Sequence, residues 1–195
     1  MPTVAAVSTT RDRILDASET LFRRGGMPGT GIKQILTLAR APYGSLYHHF
    51  PGGKDELAAE TIARAGAGYG RRVAEKLTAD ADLVTAIRAA FVDAAEELEA
   101  SGYADACPIE TVALEVASTH EMLRGTVDAV FTSWLEALDA ILVSGGVPAQ
   151  RARPLSLTIL SAMEGAFILS RTARTRDAVL ACGDAMADLV AAARA

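Results

Sequence analysis

The stretch TGIKQILTLARAPYGSLYHHF, residues Thr30 to Phe50, decides the fold. Thr30 is expected to cap a helix whose inward face is Ile32, Ile35, Leu36 and Ala39. Arg40-Ala41-Pro42 makes the turn that follows. Proline suits the first position of a new helix, because its missing N–H needs no partner there. Tyr43 to Phe50 then forms a short helix, closed by Pro51-Gly52-Gly53. Leu46 and Phe50, four residues apart, point back at Ile35 and Ala39. Small Ala39 and Gly44 are expected where the two helices approach closely. The other face carries Tyr43, Ser45, Tyr47, His48 and His49. Hydroxyls, imidazoles and aromatic edges on so short a helix suit the major groove of DNA, where they meet phosphates and bases. A purely structural element needs no such outer face.

Ahead of this stretch, Thr10 can cap a first helix with Asp12 in its opening turn. Ile14, Ala17 and Leu21 share one face, with Leu15 and Phe22 beside them, and Gly25-Gly26 stops the helix. Residues 1–9 read as a disordered tail without the basic start and apolar stretch of a signal peptide. Behind Lys54 the helices lengthen. Their expected spans run from about Asp55 to the mid-seventies, Asp82 to near Ser101, Cys107 to about Ser118, His120 to Val143, Pro148 to about Ala173, and Arg176 to Arg194. The fold class is therefore all-α, with about nine helices. A three-helix helix-turn-helix unit over residues 10–57 precedes a second helical domain over 58–195. The boundary lies inside a continuous helix. Gly66, Gly68 and Gly70 each cost about 1 kcal/mol in a helix interior, so they predict a hinge or a break. Their spacing is no nucleotide motif, since no strand precedes it.

Half of the 195 residues are hydrophobic, enough for a sizeable core, and no apolar run is expected to reach the length of a membrane span. Cytoplasmic location is the default reading. The net charge of −5 by itself argues against nucleic acid. Its distribution does not: residues 1–55 hold seven Lys/Arg against four Asp/Glu, a net of +3, which leaves −8 on the remainder. Cys107 and Cys182 are too few for a disulfide framework and read as buried thiols. No basic neighbour lowers the pKa of Cys107 in the manner of a redox sensor.

The string Gly44-Ser45-Leu46-Tyr47-His48-His49-Phe50, preceded by Arg11 to Phe22 and followed by Lys54-Asp55-Glu56-Leu57, resembles the TetR family of transcriptional regulators. Ala41 to Lys54, together with Cys107-Pro108 and Ala113-Leu114-Glu115, resembles its LmrA/YxaF-type branch. The motif covers about residues 10–57; beyond it the likeness rests on helix layout and the Cys-Pro segment. The resemblance implies roles at matching positions. Thr30 and Gln34 would touch phosphate or a base edge. Tyr43, Gly44, Ser45 and His48 would face the groove, with Arg40 supplying charge nearby. Tyr47 and Lys54 would hold phosphates. The family commonly has glycine where Arg40 stands and a basic residue where Tyr43 stands, which bears on base preference.

A dimer would space two such helices about 34–36 Å apart on a palindromic operator. The candidate interface is a stripe of Leu155, Ile159, Ala162, Ala166 and Leu169, joined by Val179, Met186, Leu189 and Val190. A second stripe, Leu160, Met163 and Phe167, makes the same helix apolar nearly all round. By resemblance the middle helices house a small-molecule effector site. Phe91, Tyr103, Cys107, Glu110, Phe131, Trp134, Met163 and Phe167 are its candidates, with Glu110 or His120 as a polar fixer. No cofactor is implied. Three histidines and two cysteines are too scattered for metal-ligand spacing. An enzyme lacks an arranged acid–base pair or nucleophile. A helical protein-interaction module is the other alternative; it would lack the steep salt dependence of phosphate contacts.

Overall fold

The computed structural model describes residues 8–79, 82–105 and 107–194, which form nine α-helices and no strand. The head is α1 (Thr10–Gly25), α2 (Ile32–Leu38) and α3 (Ser45–His49). From it α4 (Gly53–Ala79) runs into a body of α5 (Leu83–Ala100), α6 (Glu110–Val116), α7 (Glu121–Ser144), α8 (Ala149–Ala173) and α9 (Asp177–Arg194).

Local chemistry shapes the head. Thr9, one residue earlier than expected, caps α1. Its hydroxyl accepts from the Asp12 N–H, and the Asp12 carboxylate accepts from the Thr9 N–H. The rest of the expected tail, residues 1–7, lies outside the described residues. Gly26 ends α1 at φ +69°, and a Cβ there would fall inside the Glu115 carboxylate. Conformation and space both demand glycine at that position.

Thr30 does not cap α2. Gly31 does, with its N–H donating to Gln34 Oε1 at 2.9 Å. Thr30 is buried and donates its hydroxyl to the Gly26 carbonyl at 2.7 Å. α2 closes as a Schellman motif: the Ala41 N–H reaches the Leu36 carbonyl at 3.0 Å and the Arg40 N–H that of Thr37 at 3.2 Å. This closure requires a left-handed residue, and Arg40 supplies it at φ 50°. α3 begins later than expected. Ser45 N–H bonds to the Pro42 carbonyl at 3.0 Å, so Pro42-Tyr43-Gly44 is turn. Leu46 and Phe50 are fully buried in the cluster that holds Ile14, Ile35 and Ala39. Each such burial is worth about 1.5–3 kcal/mol.

The expected break in α4 is absent, for α4 is continuous past Gly66, Gly68 and Gly70. Packing explains two of these glycines. A Cβ on Gly66 would fall inside the Val130 side chain, and one on Gly70 would lie 2.5 Å from Trp134 Nε1. Gly68 meets only the tip of Arg72, at 3.9 Å. α7 therefore lies flat on a glycine strip of α4, and the Trp134 indole donates to the Gly66 carbonyl at 2.8 Å.

Inside the body, α9 packs mainly on α5, and α8 on α7 and α9. This corrects the expected interface. Ile159, Ala166, Val179, Met186 and Val190 are buried in the chain's own core and cannot face a partner. Leu155 and Ala162 are half-buried against that core. Leu169 and Leu189 stay exposed, beside Leu157 and Ile168, which the sequence reading did not single out. α8 also corrects the reading of apolar runs. By length and composition it is apolar enough to cross a membrane, with a mean hydropathy of 1.2.

Candidate functional site

The turn before α3, together with α3 itself, presents the expected polar face. Tyr43 and Tyr47 are 64% and 52% exposed, Gly44 and His48 are exposed, and Ser45 is half-buried. The His48 and His49 rings meet edge to face at 4.7 Å. A Cβ on Gly44 would touch no protein atom within 4 Å, so close helix packing does not explain that glycine, contrary to expectation. Gln34 and Arg40 are exposed on the same head.

Two expected contacts are engaged elsewhere. Buried Thr30 holds the α1–α2 loop from one side, and Lys54 Nζ donates to the Met27 carbonyl at 2.8 Å from the other. Much of the head's positive charge is likewise used internally. Arg11 pairs with Glu60 and lies over the Phe50 ring, Arg13 Nε holds the Ala39 carbonyl at 3.1 Å, and Arg24 pairs with Asp105 at 3.1 Å. Lys33 and Arg40 are exposed and have no ion pair among the described residues. The sequence reading missed Lys33, although its place beside Gln34 was visible.

The body holds a partly open cavity of about 100 Å³ between α4, α5, α7 and α8. Phe91, Trp134 and Met163 line it as expected, with Tyr69 and Glu164, which the sequence reading missed. Five candidates lie elsewhere. Tyr103 sits in the left-handed turn after α5, at φ 62°. Phe131 packs edge-on against Trp134 at 5.6 Å, and Phe167 is core. Cys107 and Glu110 are buried outside the lining, close enough to act on the Glu164 carboxyl. His120 instead caps α7, its Nδ1 accepting from the Leu123 N–H at 3.4 Å.

Burial pushes the Glu164 carboxyl up to about 7; the Cys107 thiol works against this shift and the Glu110 charge adds to it. Burial, and then Glu164, pushes the Cys107 thiol well up, which suits an inert thiol. Burial likewise raises Glu110. Oε2 of Glu164 and of Glu110 is shut off from solvent with no hydrogen-bond partner among the described residues.

Contacts from α6, its approach and the α7 cap also tie body to head. Glu115 Oε2 of α6 accepts from the Met27 N–H at 2.8 Å. Asp105 holds Arg24, and His120 Nε2 sits 3.2 Å from the Asp55 carboxylate. Glu115 thus grips the same Met27 that Lys54 holds through its carbonyl.

A three-helix head with an outward polar recognition face, rooted by one helix in a helical body, defines a helix-turn-helix DNA-binding regulator. The chain belongs to the TetR family. Residues 14–61 match the family described as bacterial regulatory proteins, tetR family. Residues 84–185 match the transcriptional regulator LmrA/YxaF-like C-terminal domain. Among similar proteins, YxaF of Bacillus subtilis is 31% identical over 92% of this chain and 94% of its own. LmrA of the same organism is 29% identical over 92% and 96%. Among solved structures, a TetR regulator from Chloroflexus aurantiacus superposes with a TM-score of 0.78 at 28% identity, covering 93% of this chain and 94% of that one. The reduced form of NemR from Escherichia coli, at 23% identity, shares the fold with a TM-score of 0.79 over 91% and 94%. The protein is a DNA-binding transcriptional regulator and not an enzyme.

Proposed function

We propose that the protein is a homodimeric repressor of the bacterial cytoplasm that grips a palindromic operator and is released by a small molecule entering the α4–α5–α7–α8 cavity. The observation that carries this reading is the outward face of α3 and its turn: two tyrosines more than half exposed beside a glycine with open space around it. Tyr43, Gly44, Ser45 and His48 are assigned to the groove, and Tyr47, Gln34, Arg40 and Lys33 to its walls. Gly44 leaves room for a close approach of DNA. Thr30 and Lys54 act on DNA by fixing the loop that sets α2. The dimer forms over the exposed Leu157, Ile168, Leu169 and Leu189 of α8 and α9. The functional units are the head, residues 10–57, and the body, 58–195, with α4 common to both.

The place of the cavity supports release. Drug-sized sites occupy about 300–1,000 Å³, so a ligand must widen a cavity of about 100 Å³. Its walls include Tyr69 and Gly70 of α4 and Trp134 of α7. Widening therefore loads the glycine strip and turns α4, and with it the head, against the tethers at Met27, Arg24 and Asp55. An effector shifts operator binding only by its differential affinity for the two arrangements. Selection of bound sequences from random DNA, repeated against a compound panel, tests the whole reading. A palindromic motif whose binding falls steeply with salt and is relieved by some compounds supports it. Absence of binding to any DNA overturns it.

A further inference from the structure

Glu164 stands out in the body. It is an acid within a helix otherwise apolar enough to cross a membrane. It lines the cavity, and its Oε2 is shut off from solvent with no hydrogen-bond partner among the described residues. An ionised carboxylate in such a place is costly unless a cation faces it. The chain supplies none: no salt bridge reaches Glu164 among the described residues. The titratable neighbours from the packed elements are mostly acidic or neutral. They are Tyr69 of α4 and, from the segment leading into α6, Cys107 and Glu110; Glu97 of α5 acts on Tyr69. The two nearby cations are committed elsewhere. Arg72 lies over the Tyr69 ring at 5.6 Å, and Arg171 of α8 sits near Glu110 and donates to the Ala104 carbonyl at 3.3 Å.

The rest of the lining is aromatic and soft. Tyr69 and Trp134 lie 5.3 Å apart at 46°, and Phe91 and Met163 complete the walls. The Trp134 N–H is already donated to Gly66, so the indole offers its face and not its donor. Ring faces attract cations. The cavity therefore combines an unmatched carboxyl, an acidic surround and aromatic faces.

We propose that this cavity takes a lipophilic amine, its apolar body among Tyr69, Phe91, Trp134 and Met163 and its ammonium group on the Glu164 carboxylate. The proposal rests on the reading of this cavity as the effector site and names the class of effector. The amine supplies the cation that the fold omits and keeps Glu164 ionised. Binding near neutral pH releases the Glu164 proton, so affinity rises as pH increases through about 7.

Calorimetric titration of the full chain with 4-phenylbutylamine, 4-phenylbutanol and 4-phenylbutyrate tests it. The amine is expected to bind at least about tenfold tighter than the alcohol, and the acid weakest, as one charge-assisted bond in a mostly apolar site allows. Glu164→Gln is expected to erase the amine's advantage and leave the alcohol unchanged; thermal melting verifies that this variant is folded. In the wild-type chain the amine alone should gain affinity from pH 6 to pH 8, which needs no variant. Equal binding of amine and alcohol, an amine indifferent to Glu164→Gln, or no amine binding overturns the proposal. Ala90→Phe, which fills the cavity from α5, separates the two readings. Probes blocked by it but showing no preference for the amine overturn only the ligand class. Probes that still bind in its presence overturn the cavity itself as the effector site.

Discussion

The head and the body break the ordinary burial rule in opposite directions. Around α3, large aromatic side chains stand in solvent: Tyr43 in the turn before it and Tyr47 on it are more than half exposed, while Leu46 and Phe50 are completely buried. In the body a carboxyl, Glu164, lies among apolar walls with an oxygen that has no hydrogen-bond partner among the described residues. Each departure marks a surface that is incomplete without something from outside. The head lacks a partner for exposed rings and hydroxyls, and the body lacks a cation for a buried acid. The difference also separates two kinds of consequence. Altering the head's exposed face should change binding and leave stability alone, because nothing in the chain leans on it. Altering the body's interior should change stability, because everything there is packed.

The sharpest test of that contrast is the double change Tyr43→Ala and Tyr47→Ala. A Tyr47 bond to a charged phosphate is worth about 1.5–3 kcal/mol and a Tyr43 bond to a base edge about 0.5–1.5 kcal/mol, so operator affinity should fall by about thirtyfold or more. The melting curve should stay within about 0.5 kcal/mol of wild type, as for surface changes. A large loss of stability would show that the two rings belong to the core of the head.

Two body changes come next. The Glu164 carboxyl is held near 7 in the folded chain, against about 4.3 when unfolded. The folded state then binds this proton more tightly, so the group's contribution is most favourable below about pH 4.3 and is lost as pH rises toward 7. Glu164→Gln should therefore gain about 1–3 kcal/mol over wild type at pH 8 and little at pH 4.5, read by denaturant melts at both pH values. Equal gains at both would mean that the carboxyl is not held neutral. On the α4–α7 seam, Gly66→Ala should cost about 1–3 kcal/mol by overpacking against Val130. Gly68→Ala, two residues on, should gain about 0.5–1 kcal/mol by removing a flexible residue from a helix. If the two variants behave alike in thermal melts, the flat strip is not what holds the helices together.

The smaller effects return to the head. Gly44→Ala should leave stability unchanged, since a Cβ there meets nothing, while weakening operator binding about tenfold if DNA comes as close as the open space permits. Normal binding by this variant would remove the close approach. Arg40→Gly should relieve a left-handed arginine that costs about 1–2 kcal/mol, less the entropy glycine brings, for a net gain below about 1 kcal/mol. It should also flatten the salt dependence of operator binding slightly by removing a charge.

The helices were legible because their signals are local. The Leu46–Phe50 spacing, the Gly25-Gly26 stop of α1, and helix starts near Asp82 and His120 all rest on signals within a few residues of where they stand. The placing of single side chains was less so. The family resemblance implied DNA contacts for Thr30 and Lys54, yet Thr30 closes the α1–α2 loop on itself and Lys54 reaches across to that loop, which α6 also holds. Cys107 and Phe167 looked like pocket residues by size, but soft, bulky groups fill core and pocket alike. Glu164 carried a visible signal, an acid in an apolar helix, that size-based reasoning passed over.

The sequence by itself therefore determined the all-helical architecture, the helix-turn-helix and the outward tyrosines. Periodicity, capping and turn chemistry are properties of neighbouring residues, and they do not wait for the rest of the chain. Only the tertiary structure decided which face of α8 and α9 stays open, why α4 needs Gly66 and Gly70, and that Tyr69 and Glu164 share a cavity with Trp134. Those facts depend on distances between helices far apart in the chain, and helix rotation sets such distances only once the whole core is packed.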